Sequence, residues 1–469
     1  MTDSLALCLV ESSDRPTVPI TPLTAATLGD WSARQPEPVA TWVAATGFKA
    51  DAGERCLLPG ADGALGGVLV GAGAAADMWT LADLPGALPG RLYRLEAPTE
   101  TPIDADTATA MTLGWALGAY RFDRYRKGGG ATEAERCVLC APSQGDLPLA
   151  DRLARAIYLV RDLINTPAGD MGPEELAEAA RGVAETAGAE FHVTIGDALM
   201  EGYPLIHAVG RASARAPRLI DFTWGAPGAP KVTLVGKGVC FDSGGLDLKG
   251  ADNMRLMKKD MGGAAHVLGL AQAVMEAGLD IRLRVLVPAV ENSVSGTAFR
   301  PGDVIESRAG LTVEIGNTDA EGRLVLSDAL AEADREAPEL IIDVATLTGA
   351  ARVALGTDLP ALFTDDDDLA AALARHSRAV ADPLWRLPLW RDYRGELDSK
   401  VADINNIGAG RFGGAITAAL YLDEFVKQTK SWAHFDIMAW NRTARPGRPE
   451  GGEAVGLRAL YALLAERHG

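Results

Sequence analysis

The sequence predicts an α/β protein of two domains. A smaller N-terminal α/β domain covers residues 1–150, a connecting helix 151–165, and a larger C-terminal α/β/α domain 166–469 with a central, largely parallel or mixed sheet. Three observations carry this reading. The 469 residues exceed what one ordinary core holds. The first 150 residues are rich in Ala, Gly, Pro and Leu and lack the dense polar motifs seen later. From Pro217 onward, short apolar runs alternate with helical stretches, the pattern of strands buried in a parallel sheet.

In chain order, Ala64 to Val70 and Cys137 to Ala141 read as strands and Thr107 to Tyr120 as a helix. Asp151 to Asn165 places Leu153, Ile157, Val160 and Ile164 on one helical face. It stops at Asn165-Thr166-Pro167, because the residue before proline is pushed out of helical space. Arg218 to Trp224, Lys231 to Val235, Ile281 to Val287 and Leu340 to Ala345 read as buried strands, with helices at Gly263 to Glu276 and Leu324 to Glu336. Sites in such sheets gather in loops beyond the strand ends. The acidic run Asp365 to Asp368 reads as the capped start of a helix.

Composition excludes several classes. The chain is 48% apolar and 23% charged, and no stretch approaches the ~20 uninterrupted apolar residues of a membrane helix. Met1-Thr2-Asp3-Ser4 lacks the basic region of an export signal. Five scattered cysteines suit a reducing compartment, so a cytoplasmic location is expected. Cys137 and Cys140 form a lone CxxC with no second pair to complete a metal site. A net charge of −18 argues against a nucleic-acid partner, since phosphate binding needs a basic surface.

Two segments carry chemistry. The first runs from Val235-Gly236-Lys237-Gly238 through Phe241-Asp242-Ser243-Gly244-Gly245 to Lys249, then Lys258-Lys259-Asp260-Met261-Gly262-Gly263. The second is Asn317-Thr318-Asp319-Ala320-Glu321-Gly322-Arg323-Leu324. Asp242, Asp260, Asp319 and Glu321 are four carboxylates in Gly-rich, otherwise apolar sequence. Held together in a dry site they would protonate unless cations neutralise them, and two divalent ions such as magnesium, manganese or zinc would do so. Unrelated helix caps and surface salt bridges are the alternative that spacing alone leaves open. Gly244, Gly245, Gly262 and Gly263 permit left-handed turns and close backbone approach. A phosphate loop is excluded, because Gly236-Lys237-Gly238 matches neither the P-loop nor a dinucleotide fingerprint.

Both segments resemble those of the leucyl aminopeptidase family, the cytosolic dinuclear metallopeptidases, and the octapeptide Asn317–Leu324 is that family's signature. Supporting resemblance includes Asn165-Thr166-Pro167, Ala208-Val209-Gly210, Thr346-Leu347-Thr348-Gly349-Ala350, Ala402-Asp403-Ile404-Asn405-Asn406, Gly413-Gly414 and Trp432–Ile437. It implies a metalloaminopeptidase that releases N-terminal amino acids from peptides, with two divalent ions (zinc or manganese) per subunit and a homohexameric assembly. One metal would be held by Asp242, Glu321 and Asp319, the last also through its main-chain carbonyl; the other by Lys237, Asp242, Asp260 and Glu321. Lys237 would have to be neutral to ligate. The resemblance further implies that Lys249 stabilises the oxyanion and that Arg323 holds a bicarbonate acting as proton acceptor, since an arginine stays protonated. The implied substrate pocket comprises Met257, Asn317, Thr346, Leu347, Gly349, Met438 and Asn441. The family commonly has Ala-Gly after its H-x-D-I stretch, where this chain has Met438-Ala439-Trp440-Asn441, so a leucine preference does not carry over.

Other readings give weaker accounts. A catalytically idle scaffold or DNA-binding regulator should have lost ligands, yet all five are present. A two-metal phosphohydrolase is disfavoured by the lysine and by the lack of histidine in the cluster. His434 and His266 are expected to serve packing.

Overall fold

The computed structural model describes residues 8–98, 102–127 and 135–469. Met1-Thr2-Asp3-Ser4, where the absence of an export signal is read, lies outside the described residues. The chain divides into two compact units, Met1–Tyr158 with Arg442–Glu450, and Leu159–Asn441 with Gly451–Gly469.

The first unit holds a six-stranded sheet. Its order is Leu9–Val10, Val138–Cys140, Leu92–Leu95, Val18–Leu23, Leu65–Gly71, Arg55–Pro59, and only the last pair is antiparallel. The strands expected at 64–70 and 137–141 are present within a residue or two. The helix expected at 107–120 spans Ala105–Ala119, because the Asp104 side chain accepts the Thr107 N–H at 2.7 Å and caps it two residues earlier. Both thiols of the lone CxxC donate to carbonyls, Cys137 to Leu88 (3.3 Å) and Cys140 to Glu11 (3.7 Å). They act as small, weakly polar sheet residues.

The helix Leu147–Asn165 carries the chain onward into the second unit, where a nine-stranded mixed sheet has a parallel centre with an antiparallel pairing on either side of it. Trp432–Asp436, Leu340–Ala345, Lys231–Gly236 and Arg282–Asn292 lie side by side in parallel. Arg218–Trp224 joins antiparallel to the last of these and Ala361–Phe363 antiparallel to the first. Two expectations shift. The strand expected to stop at Val287 runs on through Pro288 to Asn292. Pro288 is tolerated because its pairing with Lys231–Gly236 ends at Leu286, while pairing with the next strand, Gly238–Asp242, begins at Ala289. The proline sits at the seam, where no ladder N–H is needed from it. The helix expected at 324–336 spans Glu321–Asp334, so Glu321 stands in the first turn, where the helix dipole favours a carboxylate. Leu324, Leu326 and Leu330 of this helix are fully buried with Val235, Leu286 and Ile341 of the sheet. The acidic run opens the helix Asp367–Ala379, with Asp366 accepting the Leu369 N–H at 2.9 Å. Among the described residues no helix is long and apolar enough to cross a membrane.

One buried ion pair locks the C-terminal segment of this unit. Arg161 Nη2 lies 3.0 Å from Glu453 Oε1 and 3.1 Å from Oε2, with both side chains at most 4% exposed. Glu453 Oε2 also accepts from Asn441 Nδ2 at 2.5 Å. Glu453→Ala removes the buried carboxylate that pairs with Arg161 and is expected to cost about 3–5 kcal/mol. Denaturant unfolding measures this; a midpoint and slope equal to the parent's would remove the pair from the account of stability.

Candidate metal centre

The central strand is interrupted at Lys237, between Gly236 and Gly238. Its N–H donates to Val344 O (3.0 Å) and its carbonyl accepts from Ala264 N at the start of the helix Gly262–Ala277 (2.9 Å). Backbone on both sides is thus committed, and the side chain runs past the start of the helix Glu321–Asp334. A Cβ on Gly322 would lie 2.5 Å from Lys237 Cε, so only glycine allows this approach. Gly244 and Gly245 are left-handed (φ 89° and 66°), as expected, whereas Gly262 and Gly263 are not and serve close packing instead.

The expected ligands converge. Lys237 Nζ lies 2.7 Å from Asp260 Oδ2, 2.9 Å from Glu321 Oε1 and 3.0 Å from Thr346 O. Lys249 Nζ lies 2.6 Å from Asp242 Oδ2 and also contacts Asp319 Oδ1. Oxygens of Asp242, Asp319 and Glu321 all fall within 4.8 Å of one another. Lys237, Asp242, Asp260 and Glu321 are buried, while the Asp319 side chain is 33% exposed and marks the open side. Four carboxylates face two lysines, leaving two negative charges unmatched. Asp260 Oδ2, Asp319 Oδ1 and Glu321 Oε1 are buried oxygens met by these ammonium groups and by no further donor among the described residues. Such an oxygen set fits hard or borderline divalent cations.

The electrostatics show the same imbalance. Burial, with Asp242 beside it, pushes the Glu321 carboxyl well above its ordinary range. Burial and Asp260 raise Asp242 to about 6. At Asp260 burial is outweighed by Lys237 and Lys259, which hold the carboxyl below its usual range. Burial alone would neutralise Lys237, but Asp260, Glu321 and Asp242 keep its ammonium protonated. The neutral amine needed for ligation therefore requires cations that neutralise those carboxylates and leave burial dominant.

Arg323 is buried, and burial lowers its pKa. Nη1 donates to Asn406 O at 2.7 Å, Nε has no partner, and no described carboxylate pairs with it. Of the expected pocket residues, Thr346 Oγ1 donates to Asp260 Oδ1 (2.7 Å), Leu347 N to Asp436 Oδ1 (3.0 Å), and Asn317 Oδ1 accepts from Asp319 N (2.7 Å). Met257 shares the short turn Met257–Met261 with Asp260, and Gly349 begins the helix capped by Thr348. Met438 Sδ meets Arg352 Nη1 at 3.5 Å, while Asn441 is engaged by Glu453.

Three residues were missed by sequence reasoning. Asn292 Nδ2 donates to Asp242 Oδ1 and Thr318 O (2.9 and 3.0 Å), fixing a cluster carboxylate. Asn406, inside the quoted Ala402–Asn406 motif but given no role, accepts from Gly316 N and donates to Asn317 O. Lys259 is buried, and burial lowers it to about 8. His434 and His266 do serve packing. His434 Nδ1 sits 2.6 Å from Asp343 Oδ1, and burial holds His266 near 4 and neutral.

The comparisons with known proteins agree with this geometry. A family model described as the cytosol aminopeptidase family, catalytic domain, matches residues 158–461, and one described as the M17 aminopeptidase N-terminal domain matches 18–138. The chain belongs to the cytosol aminopeptidase family. A probable cytosol aminopeptidase from Syntrophotalea carbinolica is 42% identical over 79% of this chain and 77% of that protein. The crystal structure of a cytosol aminopeptidase from Coxiella burnetii, 48% identical, superposes with a TM-score of 0.93 over 98% of this chain and 100% of that one. The bottromycin maturation enzyme BotP in complex with Mn, 36% identical, gives 0.85 over 97% and 100%. As a cytosol aminopeptidase family member the chain is a metal-dependent peptidase, a hydrolase with aminopeptidase function.

Proposed function

We propose that the chain releases N-terminal amino acids from peptides using two divalent metal ions, zinc or manganese, held by Lys237, Asp242, Asp260, Asp319 and Glu321. The observation that carries this reading is the convergence of four carboxylates on two lysines at the strand ends, with oxygens of Asp242, Asp319 and Glu321 within 4.8 Å of one another. Asp242 and Glu321, whose oxygens come within 4.8 Å of each other and of Asp319, would be the shared ligands. Bound there, the ions supply an activated water and a Lewis acid for the scissile carbonyl. Asn292 and Gly244 N–H fix Asp242 Oδ1, at 2.9 Å each, and so orient a shared carboxylate. Lys249, kept protonated by Asp242 and Asp319 against the effect of burial, donates to the oxyanion that forms at the substrate carbonyl. Arg323 cannot accept a proton, but its unpartnered buried Nε suits an anion such as bicarbonate, which would supply the proton acceptor. The reading extends to a cytoplasmic setting and a homohexamer of this chain, the latter testable by sedimentation.

Chelation is expected to abolish cleavage of aminoacyl p-nitroanilides, with zinc, manganese or cobalt restoring it. Full activity in protein shown metal-free by elemental analysis would refute the reading.

A further inference from the structure

The chain carries 63 acidic against 45 basic residues, so a buried cation left without a carboxylate needs a reason. Two adjoin the metal centre on its Asp260 side. Lys259 is 2% exposed, and its ammonium has neither hydrogen bond nor ion pair among the described residues. Arg352, half-buried, reaches only Met438 Sδ, a weak acceptor, at 3.5 Å. The nearby carboxylates are committed elsewhere. Asp260 faces Lys237 Nζ (2.7 Å) and Thr346 Oγ1 (2.7 Å). Asp436 takes Leu347 N (3.0 Å), Thr348 N (3.1 Å) and Thr348 Oγ1 (2.6 Å). A buried ammonium whose neighbouring carboxylates are engaged by other groups is costly.

Position gives the reason. Gly262, directly after the turn that carries Lys259 and Asp260, packs so closely on Ala439 and Thr346 that a Cβ would come within 2.5 and 3.1 Å of them. The turn that carries Lys259 and the segment that carries Met438 therefore meet at a corner beside the metal centre. In an N-terminal cleavage the first residue's Cα is bonded to the reacting carbonyl carbon, so its side chain must fall within a few bonds of that centre. We propose that this corner receives the side chain of the substrate's N-terminal residue and that Lys259 and Arg352 bind a carboxylate there, so that peptides beginning with Asp or Glu are preferred. The Met438 and Met257 side chains supply the apolar wall for the intervening methylenes. A charge-assisted contact with each cation would select the acid, and an apolar side chain would leave both cations unpaired.

This rests on the aminopeptidase reading, and the test separates the two. The metal-loaded protein is assayed for kcat/KM on the α-p-nitroanilides of Asp, Glu, Leu, Met, Ala and Lys, beside Lys259→Met and Arg352→Gln. The expected result is an acidic-over-leucine preference of about 10²-fold or more, inverted by Lys259→Met and reduced by Arg352→Gln. A merely structural lysine would lower all substrates together and leave the ratio alone, which overturns the proposal. Cleavage of Leu and Met but not Asp or Glu also overturns it while sparing the aminopeptidase reading; no cleavage of any substrate sinks both. If Lys259→Met instead weakens free dipeptides relative to their C-terminal amides, the cations face the wrong end of the substrate and the assignment fails.

Discussion

Glu321→Ala is expected to reduce turnover far beyond the roughly 10–100-fold that loss of an outer-shell partner costs a metal site, with a matching fall in metal content. Glu321 is the most enclosed carboxylate of the cluster, 1% exposed, and it meets Lys237 while lying within reach of Asp242 and Asp319. Its removal takes away an oxygen shared by both proposed ions. The fold should survive. The residue sits in the first turn of its helix, and the substitution leaves in place the buried Leu324, Leu326 and Leu330 that pack this helix on the sheet. Near-normal turnover with two metals still bound would mean that the ligand set is misassigned. Circular dichroism and the thermal midpoint separate that outcome from unfolding.

Lys249→Ala tests the second assignment. If the ammonium donates to the oxyanion, its interaction strengthens in the transition state, and its loss should lower kcat about 10²–10³-fold with little change in KM. Lys249 also bridges Asp242 and Asp319, so a purely organising role would appear as lost metal instead. Elemental analysis beside the kinetics distinguishes the two. An unchanged kcat with metal retained would remove Lys249 from the chemistry.

Much of the catalytic unit was legible because buried parallel strands are written as unbroken apolar runs. Arg218–Trp224 and Leu340–Ala345 fall where those runs begin and end. The ligands were legible because a Gly-rich setting and an octapeptide signature isolate them. Asn292 escaped for a geometric reason. A proline usually closes a strand, and only the seam between two parallel neighbours lets this one pass through Pro288 and deliver Asn292 to Asp242. Lys259 escaped for an energetic one. A lysine beside Asp260 reads as half of a solvated pair, whereas Asp260 is taken by Lys237 and the turn is enclosed by Thr346 and Ala439. Burial of that kind is set by residues distant in sequence and leaves no local pattern.

The clamp on Lys237 has a consequence for biogenesis. Its ammonium bonds to Thr346 O, 109 residues later, and its N–H bonds to the strand Leu340–Ala345. On a ribosome, Lys237, Asp242 and Asp260 emerge well before the element that fixes their geometry, and Asp319 and Glu321 emerge between the two. The nascent chain therefore presents scattered carboxylates with little selectivity, and a defined coordination site arises only once the central sheet closes. Metal loading is then expected to follow closure of the central sheet rather than to precede it.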